Sequence, residues 1–294
     1  MTSSRARAAV SRQQRRQSKA VTGAICTVDR QVWRANRLSA GTRAIPEETA
    51  VTFTYNGSSY AVMMATPLDL EDFAVGFSLT EGVIQLPGDI ESFAIIEQEN
   101  GIELRMRLAE PHGTTFLERR RYLAGPTGCG LCGIESLSEA MRAPSRIEDG
   151  ATFSPRDIMQ AVQALDGQQD IHRQTHAVHA AAFYRPGRGL AALREDVGRH
   201  NALDKLAGTL LRSGQSTKDG FAVVSSRLSI EMIQKAAALG IAAVVAVSAP
   251  TALAVRAAEA AGMTLVAVAR NDGFEIFTHP TRIKEDRSLD VIAG

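Results

Sequence analysis

FAVVSSRLSIEMIQKAAALGIAAVVAVSAPTALAVRAAEAAGMTLVAVA, running from Phe221 to Ala269, carries the architecture of this chain. Phe221 to Ser225, Ala242 to Val247 and Thr264 to Ala269 are apolar runs rich in valine, and such runs read as strands buried on both faces. Between them Ser229 to Leu239 and Pro250 to Ala261 read as helices, stopped by Gly240 and Gly262. Working upstream, Arg199 to Arg212 has a helical stripe of Leu203, Leu206 and Leu210, and Val178 to Tyr184 turns at Pro186-Gly187 into Leu190 to Leu193. Ser154-Pro155 opens the region with a capping serine and a proline at the first helical position. Alternating strands and helices predict an α/β domain over residues 154–285, a mostly parallel sheet with helices on both faces. Ligands of such sheets settle outside the carboxyl ends of the strands, so the residues there are the ones to read for a site.

Residues 21–124 have a different pattern and predict a smaller N-terminal α+β domain of hairpins around one helix. Val51 to Tyr55 alternates, Asn56-Gly57 supplies a type I′ turn and Ser59 to Thr66 returns. Phe93 to Glu99, Asn100-Gly101 and Ile102 to Leu108 repeat the device. Leu70, Phe73, Ala74 and Phe77 fall at helical spacing, with Gly82 as the stop. Residues 1–20 hold Arg5, Arg7, Arg12, Arg15, Arg16 and Lys19 without an acid and read as a solvated, disordered tail, since no apolar stretch follows to make an export signal. A net charge of +1 gives no general attraction to nucleic acid, and no apolar run reaches the roughly 18 residues that span a bilayer. Neither a nucleic acid nor a membrane is expected as a partner.

Residues 125–153 join the two regions through a cysteine loop, Thr127-Gly128-Cys129-Gly130-Leu131-Cys132-Gly133. Glycine on nearly every side leaves both sulfurs reachable by a large partner. Thiols two residues apart can share a metal, cycle through a disulfide or pass a sulfur atom between them. With Cys26 as the third cysteine there is no disulfide framework, which suits a reducing compartment. Arg119 to Arg121 would favour the thiolate, the nucleophilic form.

Polar residues gather at the expected strand ends. The run Arg194-Glu195-Asp196-Val197-Gly198-Arg199-His200-Asn201-Ala202-Leu203-Asp204-Lys205 crowds acids, bases and a histidine at a helix N-terminus, a setting suited to a phosphate-bearing ligand. Ser225-Ser226-Arg227, Ser248 and Arg270-Asn271-Asp272-Gly273 follow the next three strands. His176 and His179 precede the first strand. Together these make a rim suited to a nucleotide, with Arg270 for phosphate and Asp272 able to accept from a guanine edge.

The Gly128 to Gly133 loop, the Glu195 to Lys205 run, the Val223 to Met232 segment and the Ala246 to Ala254 segment closely resemble the formate dehydrogenase accessory sulfurtransferases of the FdhD type. The similarity extends from about Pro46 through Pro280. It implies a cytidine deaminase-like three-layer fold for the larger domain and a cytoplasmic protein. It also implies that Cys129 takes sulfane sulfur from a cysteine desulfurase as a persulfide, with Cys132 as the second thiol. The sulfur would pass to the molybdenum of a bis-molybdopterin guanine dinucleotide cofactor required by formate dehydrogenase. That molybdenum cofactor would contact Val268, Ala269, Arg270, Asn271, Asp272 and Gly273, with Ser225, Ser226, Arg227, Asp196, Arg199, His200 and His176 around it. The 270–273 segment departs from the family pattern in lacking a further basic residue near Gly273. No metal is expected on the protein itself, and a homodimer is the expected assembly. Two rivals stand beside this. A zinc-dependent deaminase would need a His-x-Glu element, yet His176 and His179 are followed by alanine and valine or by two alanines. A cofactor-binding chaperone for formate dehydrogenase would use the cysteines only for regulation.

Overall fold

A computed structural model describes residues 23–110, 142–147 and 150–284. The basic tail, Arg119 to Arg121 and the loop bearing Cys129 and Cys132 lie outside the described residues. The chain opens with an antiparallel ribbon, β1 (Ile25–Arg34) and β2 (Arg37–Pro46), turning at Ala35 and Asn36 with φ of 48° and 59°. Positive φ at both central residues matches the right-handed twist of the strands. The only sequence signal for this turn is one asparagine, because alanine seldom takes that conformation.

Next come β3 (Thr49–Tyr55) and β4 (Ser58–Ala65), joined through Asn56 and Gly57 at φ 49° and 78°, as the Asn-Gly pair predicts. Helix α1 (Leu70–Thr80) follows, then β5 (Ile90–Gln98) and β6 (Gly101–Leu108). The sheet order is β4-β3-β6-β5, with β3 and β6 parallel at its centre. The second Asn-Gly pair does not repeat the first, since only Gly101 has positive φ. A Cβ at Gly101 would overlap the Ala50 carbonyl and lie 3.2 Å from its carbon, so the close approach of β3 demands glycine there. Phe73, Ala74 and Phe77 of α1 pack on Val51, Phe53 and Leu104, with the Phe53 and Phe77 rings stacked at 4.0 Å.

The larger region comprises α2 (Pro155–Gln168), α3 (Asp170–Thr175), β7 (His179–Arg185), β8 (Gly189–Asp196), α4 (Arg199–Arg212), β9 (Phe221–Val224), α5 (Ile230–Ala238), β10 (Ala243–Ala246), α6 (Ala252–Ala261), β11 (Thr264–Arg270) and β12 (Gly273–Thr278). Its sheet runs β12-β11-β10-β9-β7-β8. The expectation of a mostly parallel sheet needs correction: β9, β10 and β11 are mutually parallel, but β7 is antiparallel to β9, β8 to β7 and β12 to β11. The short turns after Arg185 and Arg270 are the cause, because a parallel pair needs a crossover of a dozen or more residues. Helices α4, α5 and α6 cover one face, burying Leu203, Leu206, Leu210, Met232, Ile233 and Ala258. Helix α2 covers the other with Ile158, Ala161 and Leu165. The result is a mixed α/β, three-layer arrangement.

Helix α1 also joins the two regions. Its second face meets α4 at Gly76 and Gly208, where either Cβ would collide with the opposite backbone: Gly208 with Asp72, Gly76 with Asp204. Charged groups fill the crossing. Asp72 accepts from Thr209 (2.5 Å), Arg194 (2.7 Å) and Arg212 (2.6 Å). Burial alone would raise its carboxyl, but these three donors outweigh burial and hold it below the usual carboxylate range. Asp204 accepts from Thr80 (2.6 Å) and Lys235 (2.9 Å), and Lys235 reaches Glu81 at 3.0 Å. Burial disfavours the Lys235 charge, yet Asp204 and Glu81 hold the ammonium above its ordinary pKa.

Candidate functional site

The parallel strands place their carboxyl ends along one edge, and β7, running the other way, begins there. His179 lies opposite Asp196 in the β7–β8 register. Ser225 comes next: its N–H donates to the Ala180 carbonyl (3.0 Å) and its hydroxyl accepts from the Ala180 N–H (2.8 Å). Val247 donates to Val224 across the next gap, and Val268 to the Ser248 carbonyl across the one after. Asp196, His179, Ser225, Ser248 and Val268 therefore stand in a row on adjacent strands.

Arg199 and Arg227 supply the positive field of this row. Burial is the largest effect on His179, lowering its imidazole pKa, and Arg199, His172 and Arg227 lower it further against the opposing Asp196 carboxylate. The neutral imidazole is therefore favoured, and the two guanidiniums act near enough to add positive field to the row. Arg227 is exposed and Arg199 half-buried, so both can meet a ligand from solvent. Arg270, Asn271 and Asp272 form the exposed turn into β12. Val268, at φ 52°, sits in an irregularity of the β11–β12 pairing, with Ala269 buried beside it and Gly273 restoring the ladder opposite Arg270.

Other predicted residues stand behind the rim. Asp196 is wholly buried and accepts from Lys205 (2.6 Å), Asn201 (2.9 Å) and the N–H groups of Thr66 (3.0 Å) and Gly198 (2.8 Å). Lys205, itself wholly buried, also donates to the Thr66 carbonyl at 2.8 Å. Asp196 and Lys205 thus tie β4's exit to the end of β8, and Asn201 adds a bond to the Met64 carbonyl. Glu195 caps α3 through the N–H groups of Ile171 and His172 (both 2.9 Å). His200 turns toward α5, 3.9 Å from Glu231, and burial followed by Arg199 lowers its pKa to about 4. Ser226 is buried, its hydroxyl donating to the Arg227 carbonyl. His176, the left-handed cap of α3, is exposed with its ring 5.5 Å from that of His172.

The sequence reading did not single out Thr66, Asp72, Thr80 or Lys235. Their partners across the joint lie more than a hundred residues away, except for the Lys235 bonds to Asp204, so local spacing carries no signal for these bonds. The sequence places Arg199 at a helix start, Arg227 after a strand and His179 before the first strand, and the fold sets Arg199 at the head of α4 and His179 at the start of β7. Among the described residues no helix is long and apolar enough to cross a membrane.

The model of the FdhD/NarQ family matches residues 46–284. A protein of Agrobacterium fabrum named sulfur carrier protein FdhD is 50% identical over 257 residues, covering 87% of this chain and 95% of the relative. Proteins of the same name from Brucella abortus and Cupriavidus necator are 50% and 46% identical, covering 85% and 87% of this chain and 95% and 89% of theirs. The crystal structure of a protein described as a formate dehydrogenase accessory protein, from Desulfotalea psychrophila, superposes with a TM-score of 0.68 at 23% identity. It covers 89% of this chain and 100% of its own.

Proposed function

Because this chain belongs to the FdhD/NarQ family, we propose that it is a sulfur carrier for formate dehydrogenase, taking sulfane sulfur from a cysteine desulfurase onto Cys129 and delivering it to the molybdenum of a bis-molybdopterin guanine dinucleotide. The observation that carries this reading is the cationic strand edge, where Arg199 and Arg227 flank His179 beside Ser225. A dinucleotide cofactor with several phosphates needs a long rim of this kind, and open α/β sheets take ligands at this edge. Arg227, Arg199 and Arg270 would meet phosphates, Ser225 and the Val268 to Gly273 turn would line the nucleotide, and Asp196 and Ser226 would hold the rim from behind. His176 would contact the cofactor from the α3 side, and His200 would brace the first turn of α4. The cytidine deaminase-like reading of the larger domain rests on the family resemblance, and its helix–sheet–helix layering fits it.

Sulfur transfer between thiols needs no net redox change. The Cys129 thiolate attacks the outer sulfur of the donor persulfide, a sulfur–sulfur bond forms as the old one breaks, and the donor leaves as a thiolate. Cys132 then either accepts that sulfur in the same way or expels it as sulfide by closing a disulfide with Cys129. The test is intact-mass measurement after incubation with a cysteine desulfurase and cysteine, using wild type, Cys129→Ala and Cys132→Ala. A reducible gain of roughly 32 Da that requires Cys129 supports the carrier. No gain on any variant, with the desulfurase proven active, turns the reading to a cofactor-binding chaperone.

A further inference from the structure

Among the described residues, the ribbon β1–β2 stands apart from both other sheets and has no third strand. Two-stranded hairpins are marginal in water, so ten residues a side call for something to hold them. Among the described residues, its support lies at the base. Glu47 donates to the Ala24 carbonyl (2.8 Å), Arg43 to the Thr175 carbonyl (3.1 Å), and Ile25 packs with Ala24, Ile171 and Val178. Thr175 and Val178 precede His179, so the ribbon is rooted beside the cationic rim.

Its register sorts the outer half into two unlike faces. Arg34 opposes Arg37, Arg30 opposes Gly41 and Val28 opposes Arg43, so all four arginines share one face. Trp33 opposes Leu38 on the other, together with Asp29, the ribbon's sole acid. None of the four arginines has a carboxylate partner among the described residues. Trp33, the only tryptophan of the chain, is 68% exposed, and Leu38 61%. Arginine and tryptophan are the side chains that most often dominate protein interfaces.

We propose that this ribbon is a docking arm that enters an acidic, partly apolar cleft on a protein partner. Resting on the function proposed above, the partner is the apoprotein that accepts the cofactor from the rim. A protein gripped by an arm rooted at the rim faces the strand edge, which is where a cofactor leaving this chain must be met. Charge complementarity accounts for the arginine face and burial for Trp33 and Leu38. A nucleic acid would satisfy the first face and leave the second in water.

The test uses the full chain and purified apo formate dehydrogenase of the same organism, with Arg30→Glu/Arg34→Glu/Arg37→Glu and Trp33→Ala/Leu38→Ser as variants. These positions are exposed and distal to the base, and the melting temperature and binding of guanosine diphosphate report an intact body. The arginine variant is expected to lose at least tenfold in affinity for the apoenzyme, together with the wild-type salt dependence. The apolar variant is expected to lose affinity and keep the salt dependence. Wild-type affinity in both, with wild type still gaining sulfur on Cys129, overturns the arm and leaves the carrier standing. No sulfur gain in wild type removes the carrier reading instead. Loss of affinity for the desulfurase alone, of self-association by light scattering, or of binding to a 20-mer DNA assigns the faces to another occupant and overturns the proposal.

Discussion

Gly208→Ala places a methyl group where α1 and α4 have no room for one. The new Cβ would run into the Asp72 carbonyl oxygen and lie 2.6 Å from the carbonyl carbon and 2.8 Å from the Cα. Carbon atoms settle about 3.5 Å apart, so the helices must part by about 1 Å. Backbone cannot rotate away as a flexible side chain could. Parting the helices also stretches the bonds of Thr209 and Arg212 to Asp72, which cross the same gap. Overpacking of this kind costs up to about 3 kcal/mol, while alanine gains about 1 kcal/mol over glycine in a helix interior. The expected net loss is about 2 kcal/mol, or roughly 4–8 °C in melting temperature for a chain of this size. Gly167→Ala in α2 is the control, because its Cβ would meet nothing within 4 Å and propensity acts alone. Thermal unfolding followed by circular dichroism compares the two. A Gly208→Ala protein as stable as wild type, or stabilised like the Gly167→Ala protein, refutes the argument that close approach fixes this joint.

Lys205→Met leaves the Asp196 carboxylate buried without its cation, and urea unfolding is expected to show a loss of about 3–5 kcal/mol. Adding Asp196→Asn to it should cost much less than the sum of the single changes, and simple additivity would count against the pairing. His200→Gln tests linkage. The folded pKa of about 4 lies below an ordinary histidine near 6.5, so the unfolded chain takes up the proton first. Stability is therefore full above about pH 6.5 and falls as pH drops, by up to about 1.4 kcal/mol per unit until pH 4. The glutamine variant should decline less steeply between pH 6.5 and 5, and parallel curves in urea titrations would exclude the buried neutral imidazole.

The sequence disclosed what depends on local pattern. The runs at Phe221, Ala242 and Thr264 could only be interior strands, and Asn56-Gly57 could only be a tight hairpin. Where several conformations satisfy one pattern, it stopped. Asn100-Gly101 looks like Asn56-Gly57, and only the nearness of Ala50 separates them. Antiparallel β12 was not anticipated because Gly273 to Thr278 lies largely exposed on the edge of its sheet, with Ile276 and Phe277 in solvent and Thr278 buried, so its pattern does not alternate as a half-buried strand does. The run from Glu195 to Lys205 was visible as an unusual concentration of charge at a helix start. Its division of labour was not, because Thr66, Asp72 and Thr80 are brought to it by the folding of the other domain.

That division links the site to the joint. Glu195 holds α3, which carries His176 and leads to His179, and Asp196 holds the end of β4. Arg199, three residues on, opens α4, while Asn201 and Lys205 on the next turns bind Met64 and Thr66 at the exit of β4 and Asp204 accepts from Thr80 of α1. Any movement of α4 relative to the sheet would shift Arg199 against His179 and strain the buried Asp196–Lys205 pair in the same step. Buried charge pairs are poor sources of stability compared with apolar packing, but they penalise misalignment heavily. On the function and docking arm proposed above, a rim holding a large anion while a partner presses on the arm would have use for that penalty.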